Sequence, residues 1–201
     1  MNILSAYGAA TVILALTLIA SLIGLIAPKL IERALLRPYW LVRNGEYHRL
    51  LTSGFVHADL GHLLFNMITF YSFAFPLERR IGTARFVALY FTGLLASGVG
   101  TCLKHRNDPN YASLGASGAI LAVLFASIVY FPTQSLYIIP IPLPIPAPLF
   151  AIGYLIYTWF SSKRSTGRIN HDAHLSGALT GLAFVALTDS EAYRRLIAAF
   201  S

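Results

Sequence analysis

The chain has one cysteine, and only 11% of its 201 residues are charged. A lone thiol forms no internal disulfide, and Cys102, inside an apolar run, reads as a small buried hydrophobe that says nothing of redox compartment. Of the two charges the acidic is the scarcer, 8 Asp and Glu against 15 Lys and Arg. No Asp, Glu, Lys or Arg precedes Lys29, and none lies from Pro109 to Ser162. With so little charge and 56% hydrophobic residues, an ordinary soluble domain of this length is excluded, and the chain is expected in a lipid bilayer. The net charge of +7 does not make nucleic acid a partner, because the basic residues fall in short clusters between apolar runs, where they would meet lipid headgroups. There is no internal repeat and no low-complexity segment.

Apolar runs at or near the length that crosses a bilayer, about 18 to 20 residues, recur along the chain. They cover Leu4 to Ala27, Leu60 to Leu77, Phe86 to Leu103, Leu114 to Phe131, Ala147 to Ser162 and Ala173 to Thr188. The last two are the shortest, and the fifth is an apolar stretch from Leu149 to Phe160 extended by its flanks. The first is too long, and lacks the charged start, for a cleaved signal peptide. Between the fourth and fifth lies "FPTQSLYIIPIPLPIPAP", whose alternate prolines no helix interior tolerates, so an extended connector is expected there. The expectation is an all-α polytopic membrane protein, a bundle of six transmembrane helices in a single domain over residues 1–201. The loop from Pro28 to Val56 mixes Tyr39, Trp40 and Tyr47 with five basic residues, as an interfacial segment does. Only a short tail follows Thr188, so no soluble domain is expected at either end.

Polar side chains are costly inside a membrane span, and therefore informative. "GFVHADLGHLLFNM" carries His57, His62 and Asn66, the last two four residues apart and so on one helix face. "SLGASGAILAVLF" sets Ser117 between Gly115 and Gly118 at the mouth of the fourth run. "NHDAHLSGALTG" opens the sixth run with His174, and Gly177, Ala178 and Gly181 follow at spacings of three, four and seven. Small residues let helices approach closely in lipid, and Gly115, Gly118 and Ala119 offer a matching smooth patch. If the two patches meet, Ser117 and His174 come within hydrogen-bond reach, and a serine beside a neutral imidazole is an activated nucleophile. His62 and Asn66, from a neighbouring helix, would then donate to the oxyanion of acyl transfer.

Each group alone has a plainer explanation. A Gly-x-Ser-Gly in a membrane helix is most often a packing face, a His-x-x-x-Asn pair can be interhelical glue, and a histidine at a helix start is usually interfacial. Their coincidence outweighs these readings. Runs two, four and six all start from one side of the membrane, and His62, Ser117 and His174 all sit in their first turns. Asp172, two residues before His174 on the same helix, points elsewhere and is left out of the mechanism. No metal or other cofactor is called for, since His57, His62, His171 and His174 lack a companion carboxylate and a His-Glu-x-x-His spacing.

On these three motifs, in order over Arg49 to Leu182, the chain resembles the rhomboid family of intramembrane serine proteases. The family's patterns are His-x-x-x-x-His-x-x-x-Asn in the second helix, Gly-x-Ser-Gly starting the fourth and Ala-His-Leu-x-Gly-x-x-x-Gly in the sixth. The resemblance implies that Ser117 is the nucleophile and His174 the general base of a Ser-His dyad. It implies an oxyanion hole of His62, Asn66 and the Ser117 backbone N–H, with His57, Gly115, Gly118 and Gly177 shaping the site. Arg49 and Glu78 match family positions that look structural. Leu121 stands where well-studied relatives carry an aromatic that stacks on the catalytic imidazole, which leaves that ring without its usual support. Ala74 replaces a family glycine, a change of packing.

The implied substrates are single-span membrane proteins, cut at a small residue in a segment that unwinds near the site, and the implied setting is a bacterial inner membrane. Oligomeric state is left open. A catalytically inactive relative that binds membrane clients is the alternative, weakened by the presence of both Ser117 and His174. A transporter would need ionisable groups deep in the membrane or paired broken helices, which runs one, three and five do not offer. Two lines of evidence on orientation conflict. The resemblance puts the catalytic mouth outside the cytoplasm. On that side lie Lys29, Arg33, Arg37, Arg43, Arg49, Lys104, Arg106, Lys163, Arg164 and Arg168, against Arg79, Arg80, Arg85, Arg194 and Arg195 on the other. Positive-inside counting would therefore put the mouth in the cytoplasm. The family orientation is preferred, because half of the larger group lies in the long first loop, where arginines serve structure and headgroup contact.

Overall fold

Gly8 and Gly82, both at positive φ, mark the start of the first long helix and the end of the second. The computed structural model describes residues 8–138, 141–164 and 170–201. Within them run α1 (Ala9–Ile26), three short helices, α2 (Pro28–Ala34), α3 (Pro38–Arg43) and α4 (Arg49–Thr52), and a 3₁₀ turn at Ser53–Phe55. Next come α5 (Leu60–Ile81), α6 (Thr83–His105) and α7 (Ser117–Tyr130). A hairpin of β1 (Ser135–Ile138) and β2 (Ile141–Pro146) leads to α8 (Ala147–Arg164), α9 (His171–Thr188) and α10 (Ser190–Ala198).

The long helices fall on the six expected apolar runs, with shifted ends that have local causes. Residues 4–7 of the first run lie outside the described residues. Helix α5 continues through Pro76 to Ile81 rather than stopping at Leu77, and Gly82 at φ 83° ends it. Helix α7 starts at Ser117 rather than Leu114, because Gly115 at φ 112° cannot belong to a helix. Helix α9 starts at His171 because the Asn170 side chain caps it, accepting from the Ala173 N–H at 3.0 Å. By length and composition, α1, α5 and α6 are apolar enough to cross a membrane, and α7 is a shorter apolar helix.

Helix α1 buries Ala9, Ala10, Ile13, Thr17, Ser21 and Gly24 on one stripe and exposes Leu16, Ile19, Leu22, Ile23 and Ile26. Small and hydroxyl side chains face inward and bulky apolar ones outward, the arrangement suited to lipid, where close backbone approach rather than apolar burial drives association. Glu78 ties this helix to the end of α5. Its buried carboxylate accepts from the N–H groups of Ala9 at 2.7 Å and Ala10 at 2.9 Å, and from Thr83 Oγ1 at 2.8 Å. A negative charge at an N-terminus satisfies orphan donors and complements the helix dipole.

Helix α7 is the centre of the bundle, buried at every position from Gly118 to Val129. It packs most heavily against α9 and also against α6 and α5. The α7–α9 crossing is made backbone to backbone. A Cβ built on Gly177 would stand 2.8 Å from the Gly118 carbonyl carbon, and one on Gly181 would stand 2.9 Å from that of Ala122. Of the small residues expected to meet across this crossing, Gly118 faces Gly177, whereas Gly181 meets Ala122, Gly115 lies against His62 and Ala119 against Gly93.

The proline-rich connector differs from the all-α expectation. It holds an antiparallel pair, with Ser135 opposite Pro146, Leu136 opposite Ile145 and Tyr137 opposite Pro144. Pro144 and Pro146 alternate with Ile145, whose N–H is left to face β1, until the register shifts between Tyr137 and Ile138.

Candidate active site

The turn before Ser117 is held from several sides. Leu36 and Ser113 exchange backbone hydrogen bonds at 2.9 and 3.0 Å, and the Gly115 N–H donates to the Ser53 carbonyl at 2.8 Å. Gly115 is required twice: its φ of 112° disfavours any side chain, and a Cβ there would lie 2.8 Å from His62 Cε1. The glycine thus lets the His62 ring come down beside the residues leading to Ser117.

Buried His57 pins the same turn. Its Nε2 accepts from the Ala116 N–H at 3.5 Å, so the ring proton sits on Nδ1 and is donated to Ser21 Oγ at 2.8 Å. Ser21 in turn donates to the Phe55 carbonyl at 3.0 Å. Burial, together with the neighbouring His62, lowers the His57 pKa to about 4. A neutral ring is what this chain of bonds needs, and it gives His57 a structural part in the turn.

Across the α7–α9 crossing, His174 Nε2 lies 2.8 Å from Ser117 Oγ. The two come from the first turns of their helices, and Gly118 and Gly177, a position or a turn further on, set the separation. Helix α5 brings His62 and Asn66 to the same end. Asp59 caps that helix by accepting from the His62 N–H at 2.8 Å, and the His62 ring stands edge-on to His57 at 4.9 Å between centroids. Asn66 is buried, and one of its amide N–H groups goes to the His62 carbonyl at 3.1 Å, which leaves the other to donate elsewhere. A recess with polar groups from Ser53, Ser97, Thr101, Ser113 and Asn170 among several leucines reaches Ser117 from the α6 side.

Asp172 turns away from the pair, to Lys104 Nζ at 2.9 Å and His105 Nε2 at 3.3 Å. Leu121 is buried among Leu124, Phe125 and Ile128. The residue missed by sequence reasoning is Tyr154 of α8, whose hydroxyl lies 3.0 Å from His174 Nδ1. It is one of 11 tyrosines, and nothing in the uncharged stretch around it marks it out.

A bundle of apolar-faced helices, three of them long and apolar enough to cross a bilayer, with polar groups gathered at one end, is the build of a multi-pass membrane protein. The Rhomboid domain model matches residues 44–190, which include all of these side chains except Ser21, and the chain belongs to the rhomboid family. RHOMBOID-like protein 12, mitochondrial, of Arabidopsis thaliana is 31% identical over 154 residues, covering 68% of this chain and 45% of the plant protein. YdcA of Bacillus subtilis, whose description as a rhomboid protease is provisional, is 42% identical over 82 residues, 41% of this chain and 40% of its own length. The human presenilin-associated rhomboid-like protein, mitochondrial, is 32% identical over 143 residues, 68% of this chain and 36% of that protein. The matches take in less than half of each of these relatives.

Proposed function

We propose that the protein is an intramembrane serine endopeptidase that cuts single-span membrane proteins with a dyad of Ser117 and His174. The observation that carries the reading is the 2.8 Å contact between His174 Nε2 and Ser117 Oγ, the geometry of a nucleophile and its base. In this scheme Ser117 Oγ attacks the scissile carbonyl while Nε2 takes its proton. The oxyanion forms beside the Ser117 backbone N–H, the free Asn66 amide proton and the His62 ring. Its collapse breaks the C–N bond, the proton passes from Nε2 to the leaving amine, and an ester to Ser117 remains. Water, deprotonated by His174, then hydrolyses that ester. The recess beside Ser117, lined by leucines as well as by hydroxyl and amide groups, gives such a water a few polar partners.

The reading takes the six long helices as six spans. Helix α7, with 14 residues, is about 21 Å long at a rise of about 1.5 Å per residue, short of a hydrocarbon core of about 30 Å. A helix that short leaves at least one end inside the core, and the reading puts Ser117 at that end, open to water from one side. That side is taken to face out of the cytoplasm of a bacterial cell. Arginines of the first loop are engaged in structure, which weakens the opposing charge count: Arg49 donates to the Glu32 carbonyl at 2.8 Å and the Leu35 carbonyl at 3.0 Å, and Arg43 to the Tyr39 carbonyl at 2.7 Å. Of the cations counted there, Arg168 lies outside the described residues.

A sunken dyad can take only an extended strand, so a substrate helix must unwind at the cut. Reconstituted in liposomes with a single-span reporter that has two glycines near the site-facing end of its helix, the protein is expected to release a fragment cut within that segment. Changing both glycines to leucine stiffens the helix by about 1.5 kcal/mol and should slow cutting about tenfold. Absence of the fragment, or equal rates for both reporters, contradicts the proposal, and binding without cutting favours the inactive client-binding alternative.

The oxyanion assignment has its own test in the same assay. Asn66→Ala and His62→Ala should each lower kcat, the former about a hundredfold or more, with KM little changed, because these donors meet charge present mainly in the transition state. Near-normal kcat in the double mutant would remove both from the mechanism.

A further inference from the structure

His174 faces a partner on each ring nitrogen, and only Ser117 has been given a purpose. Its Nδ1 lies 3.0 Å from Tyr154 Oη, while Nε2 lies 2.8 Å from Ser117 Oγ. A neutral imidazole carries one ring proton. For Nε2 to accept from Ser117 it must be bare, so the proton belongs on Nδ1, where the Tyr154 oxygen can accept it. No carboxylate competes for that place, since Asp172 is spent on Lys104 and His105. His171 meets His174 only ring edge to face, at 6.1 Å between centroids.

Tyr154 is itself held firmly. Its ring stacks on Phe150 at 5.6 Å and meets Phe125 at 5.8 Å, within the apolar cluster that includes Leu121. Two different helices, α7 and α8, thus clamp the ring that fixes the base on α9.

We propose that Tyr154 is a positioning residue, which holds His174 in the Nδ1–H tautomer and aims Nε2 at Ser117. A phenol oxygen here takes the place that a carboxylate holds in a three-member relay. When His174 accepts the Ser117 proton, both ring nitrogens carry hydrogen. Nδ1–H stays on Tyr154, and Nε2–H is left to protonate the leaving amine. A neutral acceptor stabilises the imidazolium less than a carboxylate does, so the loss on removing it is moderate. The inference rests on the dyad reading of Ser117 and His174, and its test separates the two.

Tyr154→Phe keeps the ring and its packing and removes only the oxygen. With rates normalised to the titre of serine labelled by a fluorophosphonate, kcat should fall about tenfold to a hundredfold, the worth of one hydrogen bond to a charged group, while KM stays within about twofold. Nitrogen-15 NMR of the histidine rings reads the tautomer without any activity, with His174→Gln identifying the signal. Wild type should show Nδ1 protonated and Nε2 bare, and Tyr154→Phe a mixture of tautomers. An unchanged normalised kcat, an unchanged tautomer ratio, or a wild-type spectrum with Nδ1 bare would overturn the role of Tyr154. If wild type neither cuts nor labels, the dyad reading fails while the tautomer measurement still decides what Tyr154 does.

Discussion

Replacing Ser117 with alanine should abolish cleavage of a transmembrane reporter, and replacing His174 with alanine should do nearly the same, each by about four orders of magnitude or more. Ser117 supplies the atom that becomes covalently attached, and no other group of the site can take that part. Without His174, Oγ keeps its proton at neutral pH and is a poor nucleophile. The two losses are one loss, so the double mutant should be no worse than the worse single mutant. Folding should survive. Ser117 is half-buried, and its hydroxyl gives up one hydrogen bond, to His174, at a cost of about 1 kcal/mol. Reporter cleavage against melting temperature in the same detergent checks both halves, and substantial cutting by either mutant would break the dyad assignment.

Gly177→Leu should be the most damaging change to the fold, and it should remove activity by a different route. Atoms of the Gly118 backbone already occupy the space a side chain at 177 would need, down to 2.8 Å from its Cβ for the carbonyl carbon alone. A flexible side chain can rotate away, but a buried helix backbone cannot, so α7 and α9 must separate. The expected cost exceeds about 4 kcal/mol, beyond the usual range for single substitutions. Because Gly118 follows Ser117 and Gly177 lies one turn from His174, the same displacement pulls the pair apart. Gly181→Leu, facing Ala122 in the same way, should destabilise similarly. Gly153 on α8 is the control: nothing lies within 4 Å of a Cβ built there, and Gly153→Ala should leave stability equal or raise it by about 0.5–1 kcal/mol. Thermal unfolding of the three variants checks the contrast, and a Gly177→Leu protein as stable as wild type would contradict the backbone contact.

What could be read from the sequence followed from periodicity and from the cost of polar groups in lipid. The long helices were legible as apolar runs, and the α7–α9 crossing as two faces of Gly and Ala. Ser117, His174, His62 and Asn66 stood out because each is polar near the start of a run that has few other polar residues. Apart from the approach of Ser117 to His174, side-chain contacts between distant residues were not legible. Glu78 reaches the N–H groups of Ala9 and Ala10 across 69 and 68 positions of chain, and no local pattern announces it. Ser21 looks like an ordinary hydroxyl in a membrane helix until its bond to His57 is seen. Leu121 in place of an aromatic leaves the imidazole without a stacking ring, whereas the contact that it does make, a hydrogen bond with Tyr154 on another helix, has no sign in the sequence. The extended connector was legible in its alternate prolines, but its pairing was not, because the partner strand β1 carries no marked pattern of its own.

The central claim is that Ser117 is a nucleophile made reactive by His174. The most direct measurement is treatment of the membrane-reconstituted protein with a fluorophosphonate, followed by intact-mass and peptide mass spectrometry of wild type and His174→Ala. The expected result is a single phosphonyl adduct on Ser117 in wild type, with labelling in His174→Ala slowed by a thousandfold or more, roughly the worth of a lost general base. An unlabelled wild-type protein, an adduct on another serine, or equal labelling with and without His174 would contradict it.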